Sequence, residues 1–127
     1  MSEQFRTIAT LDELESAISG SSDRPSVIFK HSPTCGLSAM AFESIRESLD
    51  QQGTSANWFL LPVRTSRGVS SAVTTRFGIR HESPQALILF EGKVAWHGSH
   101  YRAMAASISA ALDRLAGATS VPESASR

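Results

Sequence analysis

Ser32-Pro33-Thr34-Cys35-Gly36-Leu37-Ser38 holds the only cysteine of the 127-residue chain and lies where an apolar run, Val27-Ile28-Phe29, gives way to helical periodicity. The run predicts a strand, Pro33 and Gly36 predict a turn, and the residues beyond predict a helix. Apolar residues recur at Leu37, Met40, Ala41, Ile45 and Leu49, one face at three- and four-residue spacing, while Glu43, Arg46, Glu47 and Asp50 mark an outer face. A thiol at the start of such a helix lies against unpaired backbone N–H groups and the positive end of the dipole, both of which favour thiolate over thiol. Cys35 is therefore read as a nucleophile in an exposed turn, against the alternative of an inert buried thiol packing as a small hydrophobe. The spacing is that of a Cys-x-x-Cys redox motif with Ser38 in the second position, an oxygen where a resolving sulfur would be.

The chain has the length of one ordinary domain, able to bury a core without metal or disulfide, and its single cysteine excludes an internal disulfide. Residues 1–116 are expected to form that domain. From Gly117 onward small and polar residues predominate, so 117–127 is expected to be a disordered tail. Twelve basic residues balance twelve acidic ones, which argues against nucleic acid or an anionic membrane as the main partner. Met1 to Arg6 carries no signal-like apolar core, and no apolar run reaches the roughly 18 residues of a membrane span. The expectation is a cytoplasmic protein whose thiol stays reduced.

In chain order, Phe5 to Ile8 suggests a first strand, and Thr10-Leu11-Asp12-Glu13 has the spacing of a capping box opening a helix to about Ser19. Ser26 to His31 reads as a central strand covered on both faces. The cysteine helix runs to about Gln51, and Trp58 to Val63 is the next strand, with Pro62 at its end. Strand, helix, strand implies a right-handed parallel crossover. A helix through Val69, Ala72, Val73 and Phe77 ends at Gly78, and Gln85–Phe90 and Lys93–His97 form a hairpin around Glu91-Gly92. The last helix is predicted over about Tyr101 to Leu115, with Met104, Ala105, Ile108, Ala111, Leu112 and Leu115 facing the core.

This element order, α/β with a central mixed sheet flanked by helices, resembles the thioredoxin fold. Phe29-Lys30-His31-Ser32, Thr34-Cys35 with Ser38 three residues on, Phe77-Gly78-Ile79-Arg80-His81-Glu82-Ser83-Pro84-Gln85 and His97-Gly98-Ser99-His100 narrow the resemblance to the monothiol bacilliredoxins. It covers about residues 8 to 115. The family usually reads Thr-Cys-Pro-Ile-Ser, and this chain carries Gly36-Leu37 in the middle. The resemblance implies that Ser83-Pro84 is a cis-proline loop facing Cys35, where the backbone of Ser83 can pair with a substrate chain. Pro33, Thr34, Gly36, Ser83, Pro84 and Arg80 are then the substrate-binding candidates, with Cys35 and Ser38 catalytic.

The resemblance also implies an activity. Cys35 attacks a mixed disulfide between a client protein and a low-molecular-weight thiol such as bacillithiol, taking the small thiol, and a second small thiol regenerates it. Ser38 is expected to donate a hydrogen bond to the thiolate. The partners are S-thiolated clients and a small thiol co-substrate, with no tightly bound cofactor. Arg64, Arg67 and Arg80 are candidates for gripping the small thiol's carboxylates. His31 reads as structural or as a cationic support for the thiolate, and the spacing of His97 and His100 matches no local zinc motif. Two alternatives stand beside this one. Cys35-Gly36-Leu37-Ser38 also resembles the Cys-Gly-Phe-Ser signature of monothiol glutaredoxins, which hold iron-sulfur clusters between two chains, although Gly98-Ser99 replaces that family's Gly-Gly pair. The other is a redox-silent binder of thiolated proteins.

Overall fold

A computed structural model of the protein describes residues 5–52 and 56–120. Five strands, β1 (Phe5–Thr7), β2 (Ser26–His31), β3 (Asn57–Pro62), β4 (Gln85–Phe90) and β5 (Lys93–Ser99), form one sheet in the order β1-β3-β2-β4-β5. β1 and β2 lie parallel to β3, whereas β4 runs antiparallel to both β2 and β5. Four helices cover the sheet: α1 (Leu11–Gly20), α2 (Gly36–Gln52), α3 (Arg67–Phe77) and α4 (Ala105–Ser120). Thioredoxin topology, expected from the element order, is what the chain adopts.

The alternation of β2 divides the core. Val27 and Phe29 pack with Ala41, Ile45 and Leu49 of α2 and Ile108 and Ala111 of α4. Ile28 turns the other way, against Leu14, Ala17 and Ile18 of α1 and Val69 and Val73 of α3. Since β2 and β4 are sandwiched between helices, each is apolar on consecutive residues and buried almost throughout.

Local signals place most boundaries. Thr10 caps α1 by accepting from the Glu13 N–H at 3.1 Å, and the Glu13 carboxylate accepts from the Thr10 N–H in return, a complete capping box. Gly78 takes φ +68° as the left-handed cap of α3, donating to the Thr74 carbonyl at 2.9 Å. Glu91 and Gly92 both have positive φ, as a two-residue hairpin turn of the primed type requires.

Three expectations are corrected. Met40 is 57% exposed, because it stands about 100° around α2 from Ala41, off the buried stripe. Tyr101 is 72% exposed and belongs to a short 3-10 turn, His100–Ala103, with extended Met104 separating that turn from α4. α4 therefore begins only at Ala105, whose N–H donates to the Ser44 hydroxyl of α2 at 3.1 Å. At its other end α4 continues to Ser120, taking in the first four residues of the expected tail, while 121–127 lie outside the described residues. Among the described residues no helix is long and apolar enough to cross a membrane.

Candidate active site around Cys35

β2 ends at His31, and the chain turns through Ser32–Cys35, closed by the Cys35 N–H donating to the Ser32 carbonyl at 3.1 Å. The Cys35 carbonyl accepts the Ala39 N–H at 3.0 Å, so Cys35 occupies the N-cap position of α2. Its thiol is free and half-buried, and Pro33, Thr34 and Gly36 around it are exposed. The Ser32 and Thr34 hydroxyls pair across the turn at 3.2 Å. A cysteine so placed sits beside unpaired helix N–H groups and remains open to a disulfide.

Ser38, expected to serve the thiolate, is engaged elsewhere. It is fully buried, accepts from the Ser32 N–H at 3.0 Å, and lies 2.8 Å from His31 Nδ1. No hydrogen bond joins it to Cys35 among the described residues. Its oxygen instead ties the first turn of α2 back to the end of β2. The His31 ring stacks on Phe42 at 5.0 Å and on Phe29 at 5.8 Å. Burial holds its pKa below the usual histidine value, which favours the neutral ring. The stacked ring and its contact with Ser38 give His31 a structural role, and burial disfavours the cationic form.

The Ser83–Pro84 peptide bond is cis. Pro84 is buried and its carbonyl accepts the His100 N–H at 2.8 Å, fastening the loop to the end of β5. Ser83 Oγ is buried without a hydrogen-bond partner among the described residues. Arg80 is exposed, and its carbonyl accepts from the Gln85 side chain at 2.9 Å. His97 and His100 are both exposed, and no group of three His, Cys, Asp or Glu among the described residues is placed to hold a metal ion.

One group escaped the sequence reading. Lys30 is fully buried near the end of β2, on the α3 side of the sheet, with Nζ 3.4 Å from Thr74 Oγ1 and 3.3 Å from His81 Nδ1. Among the described residues no carboxylate pairs with it, and burial lowers its pKa to about 8. The signal was present in the sequence, because a strand covered on both faces that contains a lysine must enclose that lysine's charge.

The profile of the monothiol bacilliredoxin BrxC family matches residues 6–108, and the chain belongs to that family. Solved structures show the same fold. A candidate oxidoreductase with a thioredoxin fold superposes with a TM-score of 0.76 at 24% identity, covering 87% of this chain and 95% of that one. Thioredoxin O2 from Arabidopsis thaliana gives 0.70 at 16% identity, covering 91% and 96%. The thioredoxin Mala s 13 of Malassezia sympodialis gives 0.69 at 18%, covering 87% and 89%. Family and site together define a thiol redox protein with a single cysteine.

Proposed function

We propose that this protein removes a low-molecular-weight thiol, bacillithiol or one like it, from mixed disulfides on client proteins. The Cys35 thiolate attacks the small thiol's sulfur, a Cys35–small-thiol disulfide forms, and the client leaves as a thiolate. A second small-thiol thiolate then attacks the adduct, releasing Cys35 and a symmetric small-thiol disulfide. The two steps conserve electrons without a second protein cysteine. The reaction belongs to a reducing cytoplasm, where small thiols are abundant.

The observation that carries this reading is the position of Cys35: the chain's only thiol, half-open at the N-cap of α2, with a hydroxyl and not a sulfur one turn along. Without a resolving cysteine, the natural end of its chemistry is a mixed disulfide. The test uses a client protein carrying one bacillithiol adduct, with free bacillithiol as reductant. The parent releases the adduct catalytically, and Cys35→Ser releases none beyond the uncatalysed background. Turnover by Cys35→Ser equal to the parent's would overturn the assignment.

A further inference from the structure

A cleft of about 570 Å³ opens between α3, the β3–α3 turn and the segment before Ser83, walled by Arg64, Arg67, Ser70, Ser71, Thr74 and His81. It contains no carboxylate, and among the described residues neither arginine has an acidic partner. Thr74 and His81 are also the two groups that receive the buried Lys30 ammonium, so a third cation lies directly behind the wall. Burying a lysine without a counterion is costly, and here the two groups that receive it line a pocket edged by two more cations. Glu82, next to His81 in sequence, is not among the residues that wall the cleft.

The cleft lies at the catalytic end of the sheet. Val63, which also lines it, donates its N–H to the His31 carbonyl at 3.0 Å, four residues before Cys35. His81 precedes the Ser83–Pro84 loop by two residues. Cys35 and the cleft therefore lie at the same end of β2 and β3, the end at which a molecule whose sulfur meets Cys35 would place its acidic groups.

We propose that this cleft seats the carboxylates of the small-thiol co-substrate, with Arg64 and Arg67 gripping them over the Lys30 ammonium and the Ser70 and Ser71 hydroxyls completing the donor set. This inference rests on the thiol-transfer reading above and adds to it the place where the co-substrate's carboxylates are held, apart from the reacting sulfur. Arg80, also a sequence candidate, is not part of the cleft.

Two experiments separate the site from the chemistry. Succinate, a dicarboxylate without a thiol, is titrated into the Cys35→Ser protein and followed by amide chemical shifts. Saturable shifts at the start of α3 and at His81, lost in a variant that also carries Arg64→Ala and Arg67→Ala, are the expected result. Absence of saturable shifts in the Cys35→Ser protein overturns the site, whatever the redox activity proves to be. Separately, KM for bacillithiol, which bears carboxylates, is compared with KM for 2-mercaptoethanol in the redox-active protein. The double arginine variant is expected to lower the preference for bacillithiol by roughly tenfold or more, as the loss of charge-assisted pairs implies. An unchanged preference also overturns the proposal. Loss of client release with both thiols in the parent would instead remove the functional reading while leaving the succinate result to stand on its own.

Discussion

His31 Nδ1 lies 2.8 Å from the Ser38 hydroxyl, which also accepts the Ser32 N–H at 3.0 Å. The serine in the second position of the motif is thus the link that holds the cysteine turn against the end of β2. With His31 neutral, Nδ1 can accept the hydroxyl proton, leaving the Ser38 lone pairs for the Ser32 amide.

Ser38→Ala should accordingly act on stability more than on chemistry. It leaves the Ser32 N–H and His31 Nδ1 without their partner, and a buried polar group left unpaired costs about 1–3 kcal/mol. Urea denaturation should show a loss in this range, while client release by Cys35 falls only a few-fold. Full stability with abolished release would mean that the hydroxyl acts on the thiolate directly.

Lys30 makes a second prediction, with its sign fixed by linkage. Its pKa is about 8 in the folded protein, against 10.5 for an unperturbed lysine. Below pH 8 both states carry the proton and the cost of burying the charge is felt in full. Between the two values the unfolded chain binds more protons than the folded one, so stability rises with pH, by at most about 3 kcal/mol. Above 10.5 the contribution is constant. Lys30→Met should raise stability at neutral pH and remove this part of the rise, as equilibrium unfolding at pH 7 and pH 10 would show. A rise of equal size in both proteins would contradict it.

The fold was legible where signals are local. Thr10 and Glu13 cap each other within one turn, Gly78 supplies the positive φ that ends α3, and Glu91-Gly92 closes a hairpin whose strands follow immediately. Cys35 was legible for the same reason, since strand, turn and helix adjoin in sequence. What the sequence concealed depends on contacts across the fold. Ser44 fixes the start of α4 from 61 residues away, and no residue between Tyr101 and Ala105 announces that break. Ser38 has the right spacing to serve Cys35, yet its hydroxyl meets His31, whose ring stacks on Phe42. Lys30 and His81 are 51 residues apart and meet only because β2 finishes at the end of the sheet where the segment before Pro84 leads into β4.

Gly98 is needed for space. A Cβ there would lie 2.7 Å and 2.8 Å from the Trp96 indole and 3.0 Å from Arg102 Cβ. Gly98→Ala should therefore displace Trp96, which packs against the α2–α4 side of the core, and cost about 1–3 kcal/mol in urea denaturation. Adding Trp96→Ala should recover part of the loss attributable to the clash, so that the two effects are not additive. Additive losses would show that the indole is not the obstacle.

In the proposed reaction Cys35 takes the small thiol and leaves the client free. Intact-mass spectrometry of a single-turnover mixture, quenched by acid before free thiol is added, reads the direction of attack. The protein should gain the mass of one small-thiol adduct, located on Cys35, as the client loses the same mass. A disulfide-linked protein–client species with the small thiol released into solution, or an unmodified protein beside an unchanged client, would contradict it.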